Sequence, residues 1–207
     1  MEGNNKQEIK KVSGARKLLR NIVVGALIAF AVLVAVRMPN SINKQKTAEQ
    51  VAKIHATKLT LDDVMGKNLP PDPGAEADKT IAGVDANNNG IRDDVELAIF
   101  KEYPDSAKTR AAYLQYAVAL QIGLTQVFNS ETLVAMAQET SRARGCFYEL
   151  DEEIRASIQR EDSFEKIILN TDVRKNKLEE MYDKYMVSHG DVKGKPDCDI
   201  DPASLPN

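Results

Sequence analysis

The feature that most constrains this chain is an uncharged apolar run over residues 22–36, close to the N-terminus. The run is apolar around its whole helical circumference, and Arg20 and Arg37 stand on either side of it. A membrane-spanning helix needs about 20 apolar residues. Leu18 and Leu19 lengthen the run, and the two arginines can extend their charged ends toward water. We therefore predict one transmembrane helix over residues 21–38, which follows a basic segment over residues 1–20.

An uncleaved signal anchor is the favoured interpretation of this helix. Ala29 and Ala31 surround Phe30 in a pattern that a signal peptidase could cut, but apolar residues continue to Val36. Residues 1–20 contain six Lys and Arg residues and residues 37–58 contain five. The positive-inside rule therefore favours a cytoplasmic N-terminus only weakly.

The charge of the chain is divided unevenly along its 207 residues. Residues 1–37 hold seven basic and two acidic side chains, a net charge of +5, so the net −3 of the whole chain leaves −8 for the rest. Nucleic-acid binding depends on Lys and Arg side chains that neutralise phosphates. An acidic body lacks that property, and we expect no nucleic-acid partner.

Two cysteines, Cys146 and Cys198, both follow the apolar run. No histidine spacing typical of a zinc site accompanies them. Two idle thiols are one interpretation, and a disulfide that fixes the polar C-terminal tail to a helix is the favoured one. Closing such a loop contributes about 4 kcal/mol in the chain-entropy treatment. Because disulfides persist in oxidising compartments, this prediction places the body outside the cytoplasm.

The rest of the chain predicts an all-α fold, a small helical bundle after the transmembrane helix. Helical periodicity and N-cap residues occur throughout, and no strand-like alternation of any length is present. Residues 69–84, with three prolines and two glycines, break the helical pattern. The predicted divisions are a linker over 39–46, a helical domain over 47–190 and a tail over 191–207. The predicted helix starts are Thr47, Asp105 or Ser106, Asn129 or Ser130, Ser163, and Thr171.

Inside the helical domain, the stretch DANNNGIRDDVE over residues 85–96 has the composition of a cation-binding loop. A twelve-residue calcium loop places oxygen ligands at positions 1, 3, 5, 7, 9 and 12, and a glycine at position 6. Gly90 falls at position 6 and permits the sharp turn. The ligands predicted for Ca²⁺ are Asp85, Asn87, Asn89, the carbonyl of Ile91, Asp93 and Glu96.

These twelve residues resemble the calcium loop of EF-hand proteins, and more closely the dockerin-like variants that keep only the loop and the exit helix. The resemblance covers residues 85–96 alone. It implies a calcium site, and two departures imply an unpaired half-EF-hand. Position 8, usually aliphatic where two loops pair, is Arg92, and the upstream prolines and glycines make a poor entering helix.

A tight polar turn that feeds a helix is the competing interpretation. Asparagines with glycine favour turns, and Asp93 and Asp94 suit the first turn of a helix. That interpretation does not require Asp85 or Glu96 at their positions. With three formal charges among the ligands and Arg92 acting against a cation, the expected calcium dissociation constant is about 10⁻⁴–10⁻³ M. Such a site stays empty at cytosolic calcium levels, which again favours an extracytoplasmic body.

Other polar groups carry weaker predictions. His55 is expected to be exposed and to have no ligand role. Glu149 and Glu153 could form a carboxylate pair, although acids four residues apart on a helix are usually solvated. The tail acids Asp197, Asp199 and Asp201 are expected to be solvated, because they lack the glycine and the distant glutamate of a calcium loop.

Together these features predict a membrane-anchored calcium-binding helical module with a largely structural calcium ion. We expect the membrane contact to be residues 21–38, the body to lie in a bacterial periplasm, and an unknown protein to be its partner. One alternative is an anchored subunit or scaffold without metal. A carboxylate-based enzyme is the less favoured alternative.

Overall fold

The computed structural model describes residues 2–150, 164–186 and 198–206, with side chains described except at 2–15, 39, 40, 148 and 149. These ranges contain helices and no strand, so the predicted all-α class is confirmed for the part described. Residues 164–168 are also helical. The α-helices are α1 (Glu2–Ala56), α2 (Leu61–Val64), α3 (Asp93–Glu102), α4 (Ala107–Thr125), α5 (Ser130–Leu150) and α6 (Asp172–Tyr185). Short 3₁₀ helices cover Gly74–Asp78 and Pro202–Ser204.

The chain divides into two compact units, Met1–Lys46 and Thr47–Asn207. In the first unit the apolar side chains of α1 are exposed, with Leu27 at 62% and Phe30 at 66%. The stretch Arg16–Ala56 has a mean hydropathy of 2.4 in its most apolar window, none of it buried. Among the described residues this is one helix long and apolar enough to cross a membrane, a property that an N-terminal signal sequence shares.

The first helix differs from the prediction at its C-terminal end. Residues 39–46, expected to be a linker, lie within α1. Helix α1 ends at Ala56, where the Thr57 hydroxyl donates back to the carbonyl of Lys53. The chain then turns into α2, which Thr60 and Asp63 begin with reciprocal side-chain to backbone hydrogen bonds.

In the second unit, α4 is the central helix. The sequence predicts one apolar stripe on α4, but nearly every side chain from Ala107 to Leu124 is buried. Small alanines on all faces of α4 make this arrangement possible, because neighbouring helices can approach closely. At Gly123 the neighbouring helix is close, because a Cβ atom there would lie 2.8 Å from Cε of Met136 on α5.

The predicted helix start at Thr47 is wrong, because Thr47 lies inside α1, whereas three other predicted starts agree with their capping residues. Ser106 accepts a hydrogen bond from the amide of Thr109, and Asn129 accepts one from the amide of Thr132. Thr171 accepts one from the amide of Arg174. Ser163 lies outside the described residues. Each cap satisfies an amide that the first turn of a helix leaves unpaired.

The C-terminal segment 198–206 packs on the helices, and its first residue forms the predicted disulfide. Cys146 and Cys198 are bonded, with Cα atoms 5.4 Å apart. Leu205 is buried in the same core as α4 and α5. The prediction of a solvated acidic tail is wrong for Asp199, whose side chain is only 4% exposed, and holds for the exposed Asp201. Asp197 lies outside the described residues.

Candidate functional site

The loop over residues 85–96 is organised by hydrogen bonds from backbone amides to its own polar side chains. Asp85 accepts from the amides of Asn89, at 3.1 Å, and Gly90, at 3.0 Å. Asn87 Oδ1 accepts from the amide of Asn89 at 3.3 Å, and Asn89 Oδ1 accepts from that of Ile91 at 2.9 Å. The side chains at positions 1, 3 and 5 are therefore turned toward the backbone that curves around them.

Two residues in left-handed conformations allow this curvature. Gly90 has φ of +86° and Asn88 has φ of +59°. Glycine adopts such values without steric cost, and asparagine tolerates them better than most residues do. The loop is then closed by two contacts at its ends. The Asp93 amide donates to the Val84 carbonyl at 2.8 Å, and the Ala86 amide donates to Asp93 Oδ1 at 2.9 Å.

The exit helix α3 places two carboxylates against the first half of the loop. Asp93 is 0% exposed and Glu96 is 1% exposed, both on the first turn of α3. Asn87 Nδ2 connects the two halves, because it donates to Glu96 Oε2 and to the carbonyl of Asn68, each at 3.0 Å. Ile91 packs its side chain in the core, so only its backbone is left to contribute to the loop.

Burial raises the pKa of Glu96 to about 7, and the negative charges of Asp63 and Asp93 add to this effect, while the hydrogen bond from Asn87 opposes it. Burial also raises the pKa of Asp85, against the opposing hydrogen bonds from the backbone of Gly90 and Asn89. The loop therefore gathers carboxylates in surroundings that disfavour their ionised form.

No cation of the protein compensates these charges in the part of the chain that the structure describes. The ion pairs there involve other acids, and none joins a Lys or Arg to Asp85, Asp93 or Glu96. Within the described residues, the buried Oδ2 atom of Asp93 also has no hydrogen-bond partner. An unsatisfied buried polar group costs about 1–3 kcal/mol, and more when it is charged.

Arg92, expected to act against a cation, has its guanidinium bound elsewhere. This side chain is 0% exposed and donates to Asp94, at 2.7 Å through two nitrogens, and to the Ile168 carbonyl at 2.8 Å. Its third partner is Asn170 Oδ1, at 3.3 Å. The ion pair with Asp94 neutralises the arginine charge. None of these partners belongs to the predicted ligand set.

The three predicted carboxylate ligands are held on one loop and its exit helix, but they do not form a recognisable metal cluster by themselves. Among the described residues, no group of three or more His, Cys, Asp or Glu side chains is arranged to hold a metal ion. The predicted set also depends on the two amides of Asn87 and Asn89 and on one backbone carbonyl. These oxygen donors are of types that Ca²⁺ accepts.

A second buried acidic cluster lies around Glu139 on α5, and it is fully compensated. Glu139 contacts His55 Nδ1 at 2.7 Å, Lys58 Nζ at 2.8 Å, and Arg142. Arg142 also donates to Asp199 at 2.9 Å. His55 is therefore only partly exposed and paired, which corrects the prediction of a solitary exposed histidine. Although burial raises the pKa of Glu139, the hydrogen bonds from His55 and Lys58 hold it below its usual value.

An open, largely apolar groove is also present in the described part of the second unit. It has a volume of about 410 Å³ and lies between the C-terminal part of α1 and the first half of α5. The lining side chains are Val51, Ser130, Glu131, Val134, Ala135 and Gln138. The Glu149 side chain and Glu153 lie outside the described residues, so the predicted carboxylate pair does not enter the account of the site.

The sequence did not predict Asp63, Asn68 or Arg174 as neighbours of the loop and its entry segment. Gly83 leaves room for the Arg92 side chain, because a Cβ atom at residue 83 would overlap the Cγ and Cδ atoms of Arg92. No pattern in the sequence alone identifies that neighbour.

Comparison with known proteins found no matching family model, no matching curated protein and no matching solved structure.

Proposed function

We propose that this chain is a membrane-anchored helical module whose body binds one Ca²⁺ ion, mainly structural, in the loop over residues 85–96. The observation that carries the proposal is the buried Asp93 carboxylate, with Oδ2 unpaired, beside the equally buried Glu96. Buried charges in proteins are normally paired or bound to a metal. A hard cation would supply the positive charge that no Lys or Arg of the described chain supplies here.

The ligand roles follow from the positions of the side chains. Asp85, Asn87 and Asn89 would contribute oxygens from the curved half of the loop. Asp93 and Glu96 would contribute carboxylate oxygens from α3. The bound ion would offset the repulsion between the carboxylates and stabilise the loop against the exit helix, which is a structural contribution and requires no catalytic group.

The proposed location is the extracytoplasmic side of a membrane, with α1 as the uncleaved anchor and a bacterial periplasm as the compartment. The support is the apolar stretch of α1 and the disulfide between Cys146 and Cys198, a bond typical of oxidising compartments. Thiol alkylation of the protein in freshly lysed cells tests the location. Oxidised cysteines agree with it, and two alkylated thiols contradict it.

We also propose that the body binds a protein partner, with the apolar groove beside Val51 and Val134 as the observation that favours it. The alternative, a scaffold that pairs through its transmembrane helix, makes a different prediction. Replacing residues 22–36 with polyleucine would abolish function in a scaffold of that kind. The same replacement would leave a groove-dependent function intact, whereas Val134→Asp would remove it.

The calcium proposal is tested by thermal and urea unfolding of the full chain in nonionic detergent, with and without calcium. For a dissociation constant of about 10⁻⁴–10⁻³ M, 10 mM calcium adds about 1.4–2.7 kcal/mol to the free energy of unfolding. Glu96→Gln is expected to lose this gain. Glu102→Gln, a matched change at an exposed position on α3, is expected to keep it. An equal response in all three proteins, or none, contradicts the proposal.

A further inference from the structure

We propose that Arg92, Asn170 and Arg174 couple cation binding in the loop to the segment over residues 77–82 that leads into it. In this arrangement Arg92 is a positioning residue for the loop, although it contacts no predicted ligand. The inference rests on the proposed calcium site and adds a means by which the bundle controls the affinity of that site.

The first contact of this network is Arg92, which immediately precedes Asp93 in the chain. Its guanidinium donates a hydrogen bond to the carbonyl of Ile168, at the end of the helical stretch 164–168. Carbonyls in the last turn of a helix lack partners within the helix and attract cationic donors. The bond fixes the N-cap of α3 to a second element, and with it the start of the helix that carries Asp93 and Glu96.

Asn170 joins the two arginines. Its Oδ1 accepts from Arg92 at 3.3 Å and from Arg174 at 2.6 Å, and its Nδ2 donates to Asp78 Oδ1 at 3.2 Å. One amide thus contacts both guanidinium groups and the entry segment. Because it offers one acceptor to two cations, a shift of either arginine changes the hydrogen bond that the other makes.

Arg174 holds the segment that enters the loop. It is 1% exposed and donates to the carbonyls of Ala77 at 2.5 Å, Thr80 at 3.0 Å and Ile81 at 3.1 Å. Its charge is met by Asp78, at 2.6 Å. The segment over residues 77–82 lies in the irregular stretch 69–84, and this one side chain binds three of its backbone carbonyls.

The entry segment and the exit helix meet at the base of the loop. The amide of Asp93 donates to the carbonyl of Val84, directly before Asp85. Asp85 is therefore placed by the segment that Arg174 holds, and Asp93 by the helix that Arg92 holds. Any ligand that requires Asp85 and Asp93 at a fixed separation gains affinity from both attachments, because the cost of ordering them is met before binding.

The network is tested at Asp78, which lies outside the loop and has a side chain 53% exposed. Asp78→Ala removes the acceptor for Arg174 and Asn170, and Asp78→Asn keeps an acceptor while it removes the charge. Asp72→Ala is the matched control, since Asp72 is an exposed acid in the same proline-rich stretch and its side chain accepts from the amide of Gly74. Calcium binding to each full-length protein in detergent is measured by calorimetry.

Asp78→Ala is expected to weaken calcium binding about tenfold, within the range of typical coupling between sites. Asp78→Asn is expected to recover most of the affinity, and Asp72→Ala to stay within about twofold of wild type, a difference small against that coupling. In hydrogen exchange, calcium should slow amides of residues 77–82 in the wild type and have a smaller effect in Asp78→Ala. Secondary structure by circular dichroism identifies any variant that does not fold, and Arg174→Lys then replaces it.

Calcium binding that is equal in wild type, Asp78→Ala and Arg174→Lys overturns the coupling and leaves the proposed calcium site intact. Equal weakening by Asp78→Ala and Asp72→Ala also overturns it, since long-range charge would then explain the effect. A wild-type chain that binds no calcium overturns the coupling together with the proposed function.

Discussion

Two buried acidic clusters in the same helical body differ in how their charge is compensated. Around Glu139, three side chains place positive groups against the carboxylate. They are His55 on α1, Lys58 just after the end of α1, and Arg142 on α5. Around Glu96, the neighbours are Asp63, Asp93 and two asparagines. Burial is the same kind of perturbation in both places, yet the pKa of Glu139 is lowered and that of Glu96 is raised to about 7.

The acids of the two clusters therefore differ in the partners that the protein gives them. In the Glu139 cluster, Lys, Arg and His side chains pair with the carboxylates and join the helices to the C-terminal segment. The protein itself supplies the cations of these ion pairs. A carboxylate buried among other acids and amides is completed only by a proton or by a cation from outside. The proposed calcium site therefore concerns the loop over residues 85–96, whose acids lack cationic partners in the described part of the chain, and not the Glu139 cluster, whose acids have them.

The largest effect is expected from the disulfide, which fixes Asp199 beside the compensated cluster. Replacing Cys146 and Cys198 together with serine opens a loop of 52 residues. The chain-entropy treatment gives a loss of about 4 kcal/mol in the free energy of unfolding. Urea denaturation in detergent measures it, with the wild-type protein treated with a dithiol as the control. A loss below about 1 kcal/mol would show that Arg142, Lys58 and the core contacts of Leu205 hold the segment without the bond, since such a value is a small part of the loop entropy.

The same isosteric change in each cluster tests whether the two clusters differ in the compensation of their charge. Glu139→Gln removes the carboxylate that pairs with Arg142 and with the part-exposed His55 and Lys58, and it is expected to lower the free energy of unfolding by about 2–3 kcal/mol. Glu96→Gln removes a buried, uncompensated charge, so in calcium-free buffer at pH 8 it should not destabilise the protein. Denaturation of both variants in parallel gives the result. Destabilisation of similar size in both would mean that the two clusters are electrostatically alike.

The pH dependence of stability should also have opposite signs in the two clusters. Glu96 binds its proton more tightly in the folded chain, with a pKa of about 7 against 4.5, so its contribution is present below pH 4.5 and is lost as the pH rises to 7. This shift corresponds to a loss of up to about 3 kcal/mol without calcium. The pKa of Glu139 is lowered, so its contribution is present above pH 4.5 and is lost on further acidification.

The measurement for this prediction is the difference in unfolding free energy between wild type and Glu96→Gln at intervals from pH 4.5 to pH 8, in a chelating buffer. The difference should change steadily over that window and level off above pH 7. A difference that does not vary with pH would show that Glu96 stays ionised throughout, and the absence of a cationic partner would then have little energetic consequence.

The sequence predicted the elements of the fold better than their environments. The caps at Ser106, Asn129 and Thr171 depend on local chemistry, and the structure has them. The burial of α4 on all sides depends on which helices surround it, and its alanines gave no periodicity that would identify a central helix. The end of α1 at Ala56 was likewise not predicted, and three residues later Leu59 is buried in the core.

In the candidate site, too, the local contacts could be predicted from the sequence and the long-range contacts could not. The order of Asp85, Asn87, Asn89, Asp93 and Glu96 along the chain predicted a loop with inward side chains, because turn chemistry is local. The uses of Arg92 and Arg174 could not be predicted, since their partners lie 76 and 97 residues away in the sequence. Only the folded chain brings Ile168 and Ala77 to them.

Calorimetric titration of calcium into the full-length oxidised protein tests most directly whether the buried acids of the loop require an external cation, as we propose. At pH 7.5 in detergent, the account predicts one calcium ion per chain, with a dissociation constant of about 10⁻⁴–10⁻³ M, and no binding to Glu96→Gln. The absence of a binding isotherm in the wild type up to 10 mM calcium would contradict it. The loop would then be a polar turn that begins helix α3.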